Sequence, residues 1–385
     1  MLEHYSLIKM KVKFHNIYKS LTDKKKIEKK IINLIRENKF VGGKEVLQFE
    51  KNFSKFVKSK YCISVGNGTD ALEIALEALK IKKGSEIIVP VNTWISTAEI
   101  VKRNGYNLVF CDINLEDYSI NIEDLERKIN KNTKVIIPVH LYGIPSNMIK
   151  IKKIVKGKNI KIIEDCAQAQ GAKFKDKYVG TFGDFGCFSF YPTKILGGYG
   201  DGGFILTDNF KLYSKIKMIR FYGIDTLNNK NKLFNKYYSN INGVNSRLDE
   251  VNSKILDFKL NKVDQFIKKR RILAEIYQKE LKNTSLILPQ KTKNNFDVYH
   301  LYTVYHKKRN FIIKELEKKN IQTRIIYPYP IHNMKAYKNE FMNKRFINTE
   351  IKSKGIFCLP LYPELEIKSV KSICSELKII LSKID

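Results

Sequence analysis

The chain has 385 residues, 43% of them hydrophobic, which exceeds one ordinary core and predicts a large domain over residues 1–271 and a smaller one over 272–385. No apolar run approaches the ~20 residues of a membrane helix, and Met1–Met10 lacks a signal peptide's continuous apolar core, so a cytoplasmic protein with no membrane partner is expected. The net charge of +32 comes mostly from lysines in short dispersed runs such as Lys24-Lys25-Lys26, with no basic arm or zinc-finger spacing, so it predicts attraction of an anionic small molecule and no nucleic-acid partner.

Residues 24–60 predict two helices around the turn Val41-Gly42-Gly43, the second carrying Val46, Phe49, Phe53 and Phe56 near helical spacing. Tyr61–Val65 reads as a strand, Gly66-Asn67-Gly68-Thr69-Asp70 as a tight turn, and Ala71–Lys80 as a helix. A strand, a turn and a helix N-terminus in that order suit a phosphate. Ile87–Pro90, Leu108–Cys111, Val135–Val139 and Ile160–Ile163 read as further buried strands, with helical spacing at Asp124–Ile129 and Met148–Val155 between them. Short apolar strands alternating with helices predict an α/β fold with a mainly parallel sheet, whose ligands bind at the carboxyl ends of strands. Phe185–Phe190 and Phe204–Thr207 read as strands flanking a glycine-rich loop, and Val251–Arg271 as one long helix. Beyond residue 272, helices alternate with isolated strands such as Leu301–Tyr305, which predicts a smaller α+β domain.

Two residues carry the chemistry. Asp165 ends the strand Ile160–Asp165, and Lys194 follows in Phe188-Ser189-Phe190-Tyr191-Pro192-Thr193-Lys194. A lysine that forms a Schiff base and a carboxylate that keeps a ring nitrogen protonated are what pyridoxal phosphate chemistry needs. Around them, Gln168 is placed to reach the ring hydroxyl, Trp94 to stack on the ring, and Gly68, Thr69 and Ser189 to hold the phosphate dianion. Gly197-Gly198-Tyr199-Gly200-Asp201-Gly202-Gly203 lacks the Lys-Ser/Thr ending of a P-loop and is read as backbone freedom that seats Lys194. His140 is read as a structural strand-end residue. Tyr191, Tyr329 and His332 are candidate substrate contacts. The histidines have no metal spacing, and the six scattered cysteines form no Cys-x-x-Cys pair, so no metal site and no disulfide framework are expected.

From about Phe40 to the C-terminus the chain resembles the DegT-type sugar aminotransferases, within the aspartate aminotransferase fold. The resemblance is carried by Gly68-Thr69-Asp70-Ala71-Leu72, Glu164-Asp165-Cys166-Ala167-Gln168, Phe188–Gly198, Gly243–Glu250 and Tyr327–Tyr337. It departs from the family pattern at Ile195, where Asn is common, and at Asn252-Ser253, where Gln-Ala is usual. The resemblance implies that Lys194 holds pyridoxal 5'-phosphate, that Asp165 pairs with its ring nitrogen and that Gln168 contacts its ring hydroxyl. It also implies that Asn245 reaches the phosphate in a neighbouring subunit, hence a homodimer with active sites at the subunit interface. The implied reaction takes an amino group from L-glutamate through pyridoxamine 5'-phosphate to a keto-sugar nucleotide. The Gly-Tyr-Gly-Asp-Gly-Gly tail after the lysine resembles the branch acting on dTDP-linked 3-keto-6-deoxyhexoses. UDP-linked or 4-keto sugars are the alternatives, and a non-catalytic cofactor-binding regulator is the rival of a different class.

Overall fold

Residues 12–16, 24–227 and 237–384 are described by the computed structural model of this chain. The signal-peptide reading of Met1–Met10 lies outside the described residues. In chain order the strands are β1 (Tyr61–Val65), β2 (Glu86–Pro90), β3 (Asn107–Cys111), β4 (Thr133–Ile136), β5 (Lys161–Asp165), β6 (Lys173–Phe174), β7 (Lys177–Tyr178), β8 (Phe185–Ser189), β9 (Gly203–Thr207), β10 (Asn295–Phe296), β11 (Tyr302–Tyr305) and β12 (Ile356–Leu359). Seven of them form the main sheet in the order β1-β9-β8-β5-β4-β2-β3. The pairs from β3 to β8 are parallel, and β9 runs antiparallel to both β8 and β1. The carboxyl ends of β1, β2, β5 and β8 therefore open on one edge.

The apolar strands are buried because helices cover both faces. Ile87, Ile88 and Val89 in β2 are fully enclosed, as are Phe185 and Phe204 in β8 and β9. On one face the helices Gly68–Ala78 and Ser96–Arg103 contribute Leu72, Ile74, Ile100 and Val101 to a core around Val65, Val89 and Phe110. On the other, Phe49 and Phe53 of the helix Lys44–Val57 meet Phe188, Phe190 and Phe204, the Phe49–Phe204 rings lying 4.6 Å apart. Edge-to-face aromatic contacts such as Phe190–Phe204, at 4.8 Å and 89°, fix the strand that leads into the lysine loop.

The helix Lys44–Val57 starts where the fully buried Glu250 carboxylate accepts from the backbone N–H groups of Gly43 (2.8 Å), Glu45 (3.0 Å) and Val46 (3.3 Å). One distant side chain thus satisfies donors that a helix N-terminus leaves open. A separate core joins β11 and β12 to Leu273, Tyr277, Val370 and Leu377. The chain then returns to the first core: Ile331, Tyr337, Phe341 and Phe346 pack there, with Phe341 4.7 Å from Phe110.

The segment expected as one helix over Val251–Arg271 is two, Glu250–Leu260 and Val263–Leu281. The break falls at Asn261-Lys262, where Asn261 Nδ2 turns back to the Asp257 carbonyl at 3.0 Å and Lys262 leaves helical geometry (φ −117°, ψ 0°). No glycine or proline marks it in the sequence.

Candidate active site

Asp165 closes β5 at its carboxyl end and is 5% exposed. Its Oδ2 accepts from Thr97 Oγ1 at 2.9 Å and its Oδ1 from the Ala167 N–H at 3.1 Å. Burial raises its pKa above the usual carboxylate range; the Ala167 N–H, the Thr97 hydroxyl, Lys194 and His140 all pull it back. Lys194 stands next to this carboxylate. Burial lowers its ammonium pKa to about 8, against the attraction of Asp165. An amine so poised is neutral in appreciable fraction near neutral pH, which is what a nucleophilic or proton-shuttling lysine requires.

The glycines of the lysine loop serve a different purpose from the one expected. None has positive φ. Their hydrogens leave room for close approach: an added Cβ would lie 2.3 Å from the Pro192 carbonyl oxygen at Gly197, 2.2 Å from Asn252 Oδ1 at Gly198 and 2.4 Å from the Asn67 carbonyl oxygen at Gly203. Asn252 then ties the loop down, accepting from Tyr199 N–H at 2.9 Å and donating to the Asp201 carbonyl at 2.8 Å.

Gln168 is held between two partners. Its Oε1 accepts from Tyr142 N–H and its Nε2 donates to Tyr327 Oη, both at 2.8 Å, which leaves one Nε2 hydrogen for a ligand. Tyr327 stacks at 6.1 Å on Tyr142, and its ring lies 6.3 Å from Trp94. Trp94 sits after β2 and is 60% exposed, an indole face open for stacking.

After β1, Asn67 caps the helix Gly68–Ala78 through its side chain on Asp70 N–H. Thr69 Oγ1 lies 2.7 Å from Ser96 Oγ. A Cβ on Gly68 would fall 2.7 Å from the Ser189 Cβ, so the helix N-terminus and the start of the lysine loop touch. Ser246 Oγ donates to Asp70 Oδ2 at 2.5 Å and accepts from Gly66 N–H at 2.8 Å, which anchors the segment bearing Asn245 beside this turn. Asn245 itself is exposed.

Of the three expected substrate contacts, two are at the surface beside the lysine loop and beyond Tyr327, and one is in the interior. Tyr191 and Tyr329 present exposed rings. His332 does not reach a cleft: it is 3% exposed, its ring lies 4.8 Å from Phe346, and its Nε2 is 3.6 Å from Glu350 Oε1. Packing against Phe346 leaves it no face for a substrate. His140 is structural, accepting Ser146 N–H on Nδ1 and so donating from Nε2 to Glu164 at 3.0 Å. With Glu164 and Cys166 it brings ligand-type atoms within 4.8 Å. Glu164 is already committed to the N–H groups of Gly180, Phe182 and Gly183, and burial keeps the Cys166 thiol protonated, so the trio is unsuited to a cation. Arg220-Phe221-Tyr222-Gly223 ends the helix Phe210–Ile219, and Arg220 Nη1 donates to the Ser64 carbonyl at 2.8 Å.

Thr97, Tyr142, Tyr327, Asn252 and Ser246 are the parts that sequence reasoning passed over. Tyr327 and Ser246 fall inside motifs already singled out, and Asn252 was noted only as a departure from the family pattern; no local signal marks Thr97 or Tyr142.

The residues present fit pyridoxal phosphate. A buried carboxylate accepts from neutral donors and feels the charge of a lysine, an open indole lies after β2 near Tyr327, and a helix N-terminus with hydroxyls follows β1. This is the fold type I arrangement of pyridoxal phosphate enzymes. The chain belongs to the DegT/DnrJ/EryC1/StrS aminotransferase family, whose profile matches residues 21–378.

It is 38% identical to a dTDP-3-amino-3,6-dideoxy-alpha-D-galactopyranose transaminase of Aneurinibacillus thermoaerophilus, over 91% of this chain and 93% of that one. It is 34% identical to GDP-perosamine synthase of Escherichia coli O157:H7, over 95% and 98%. Among solved structures, ntda from Bacillus subtilis, with bound cofactor PMP, matches at TM-score 0.88 and 29% identity, over 97% of this chain and 86% of that one. The protein is a pyridoxal phosphate-dependent aminotransferase of nucleotide sugars. No helix among the described residues is long and apolar enough to cross a membrane.

Proposed function

We propose that the enzyme moves an amino group from L-glutamate to a dTDP-linked 3-keto-6-deoxyhexose, giving a dTDP-3-amino-3,6-dideoxyhexose. The observation that carries the reaction is the buried Asp165 carboxylate at the carboxyl end of β5, held by Thr97 and Ala167, with Lys194 near it. When bound, pyridoxal phosphate supplies an electron sink and carries the amino group, as pyridoxamine phosphate, from donor to sugar. Lys194 Nζ takes a proton from the donor's α-carbon and returns it on the cofactor side, then works in reverse on the sugar. Asp165 holds the ring nitrogen's proton, oriented by Thr97 and Ala167. Gln168 donates its remaining hydrogen to the ring hydroxyl, Trp94 covers the ring, and Gly68, Thr69 and Ser189 hold the phosphate. Tyr191 and Tyr329, both exposed, are assigned to the sugar nucleotide.

The working unit is a homodimer. The apolar side chains of Ile32, Ile35, Phe40, Val41, Tyr222 and Val244 are exposed, and the last adjoins Asn245, which completes the partner's phosphate site.

The pKa of Lys194 sets a pH dependence. Below about 8 the ammonium dominates and the reactive amine grows with pH. Covalent attachment of pyridoxal phosphate to the cofactor-free protein is therefore expected to quicken about tenfold per pH unit below 8 and to level off above it. Stopped-flow absorbance checks this; a rate still climbing steeply at pH 10 would mean an ordinary lysine.

The 38% relative named for a dTDP-3-amino sugar supports the favoured substrate, and the perosamine relative supports the second reading, a 4-keto sugar on another nucleotide. Incubation with pyridoxal phosphate, glutamate and dTDP-linked 3-keto or 4-keto 6-deoxyglucose separates them, with the nitrogen located by NMR. Amination at carbon 3 alone is expected. Amination at carbon 4 overturns the sugar assignment, and product only with GDP- or UDP-sugars overturns the nucleotide.

A further inference from the structure

Three tyrosines with left-handed backbone meet beside Gln168. Tyr118 (φ 60°), Tyr142 (φ 57°) and Tyr327 (φ 60°) come from distant parts of the chain. The Tyr142 ring meets the Tyr118 ring edge-on at 5.2 Å and lies nearly parallel to the Tyr327 ring at 6.1 Å. Tyr142 is fully buried. A positive φ favours glycine, and under a bulky side chain it marks local strain. The turn that carries it is pinned from several sides. His140 N–H donates to the Asp165 carbonyl at 3.0 Å, Val298 N–H to the Gly143 carbonyl at 3.0 Å, and Leu301 N–H to the Tyr142 carbonyl at 3.4 Å.

The consequence falls on Gln168, which is itself buried. A glutamine amide can present either its oxygen or its NH2 group to a neighbour, and the neighbours decide which. Tyr327 Oη both donates and accepts, so it does not discriminate. The Tyr142 N–H only donates. At 2.8 Å it fixes Gln168 Oε1 on itself, and Nε2 is then turned to Tyr327 Oη, also at 2.8 Å, with one hydrogen left over. A reversed amide would set two donors against each other at a buried N–H. The φ of a residue is the rotation between its N–H and its own side chain. With the Tyr142 ring held by Tyr118 and Tyr327, the value of 57° is what aims the N–H at Gln168. Core packing asks for a large ring and is indifferent to where that N–H points.

We propose that Tyr142 is a positioning residue: its left-handed backbone, braced by Tyr118 and Tyr327, locks the Gln168 amide so that the site offers a hydrogen-bond donor, and never an acceptor, to the ring oxygen of the cofactor. The inference rests on the cofactor role given to Gln168 above. A donor there favours the ionised ring oxygen, whereas an acceptor favours the neutral hydroxyl. One backbone angle, far from Gln168 in the sequence, thus sets which form of the cofactor the pocket prefers.

The test is a pH titration of the visible absorbance of the bound cofactor in the holoenzyme, read without substrate. When a donor to the ionised oxygen is lost, the proton shared with that oxygen is held more tightly, and the midpoint rises by about one pH unit for one hydrogen bond to a charged group. In Gln168→Glu the Tyr142 N–H keeps its acceptor but the cofactor meets an oxygen, so a rise of that size is expected. Tyr142→Phe keeps ring and backbone and should titrate as wild type. Tyr142→Ala and Tyr142→Gly both lose the ring, but only glycine takes a positive φ without strain, so the rise should be clear in the first and smaller in the second. Tyr327→Phe is a mild change that leaves the Tyr142 N–H on Oε1, and its midpoint should stay near the wild-type value; it decides the matter if the two truncated variants fold poorly. A Tyr327→Phe midpoint as high as that of Gln168→Glu, or equal midpoints in Tyr142→Ala and Tyr142→Gly, overturns the role of Tyr142 and leaves Gln168 on the ring oxygen. An unchanged midpoint in Gln168→Glu takes Gln168 away from the ring oxygen, and the inference falls with that reading.

Discussion

Lys194→Ala is expected to lower turnover by about 10⁴-fold or more, because it removes at once the covalent anchor for the cofactor and the base that moves the proton. The side chain is irreplaceable by a neighbour. His300 is near enough to Lys194 to feel its charge, yet burial and the surrounding cations depress the imidazole far below its usual range. Such a ring accepts a proton poorly. Tyr327 is half-buried, and desolvation together with the charge of Asp165 pushes its phenol pKa up, so it is a poor base at neutral pH. Two measurements separate this loss from misfolding. Borohydride reduction followed by mass spectrometry should add one cofactor mass to wild type and none to the variant. A small primary amine in the buffer should restore part of the turnover, since the cavity left by the side chain lies open beside Lys259 and Arg270. Turnover within about tenfold of wild type would move the chemistry to another residue and undo the proposed mechanism.

What could be read ahead of the structure has a common physical basis. The strands of the main sheet announce themselves as short apolar runs because both faces are covered, and a parallel sheet then puts Gly68, Trp94, Asp165 and Ser189 on one edge. Lys194 and Asp165 were legible because chemistry restricts the residue types and the fold restricts where they stand. The supporting groups were not. Thr97 lies 68 positions from Asp165 and Tyr327 159 positions from Gln168, and nothing local says that they meet. His332 misled for a related reason: a Tyr/Pro-rich loop reads as exposed, and the residue is drawn inward by Phe346 and Glu350 from a later helix. The glycines were found, but for the wrong cause, since a required absence of volume looks the same in a sequence as a required φ. The break between the helices Glu250–Leu260 and Val263–Leu281 carries neither glycine nor proline, so a periodicity argument runs straight through it.

Asp165→Asn should separate stability from catalysis, because the two respond to the carboxylate with opposite sign. The amide keeps the shape: its one oxygen can accept from the Ala167 N–H, and its Nδ2 then faces Thr97 Oγ1, whose hydroxyl can turn towards Thr93 Oγ1 and accept instead. It cannot hold a proton on the ring nitrogen, and the expected loss in kcat is on the order of 10²–10³, the usual effect of removing one preorganised electrostatic partner from a closed site. Stability runs the other way. The folded-state pKa of Asp165 is raised, with burial as the largest cause, so ionising it costs the cofactor-free protein stability. That cost is absent below the unfolded value, develops as pH rises, and is complete above the folded value. At neutral pH the variant is spared it. The cofactor-free Asp165→Asn protein should therefore melt at or above the wild-type temperature at pH 7, and the two should converge as pH falls through the carboxylate range. A protonated ring nitrogen offsets the same cost in the holoenzyme, so the cofactor should raise the melting temperature more in wild type than in the variant. Thermal melts with and without cofactor between pH 4 and pH 8, alongside kcat, check both halves. A variant that melts well below wild type without cofactor would make Asp165 a structural carboxylate whose loss of activity follows from unfolding. The predicted pattern, a stable but slow protein, marks a charge kept in the interior for the cofactor and against the interest of the fold.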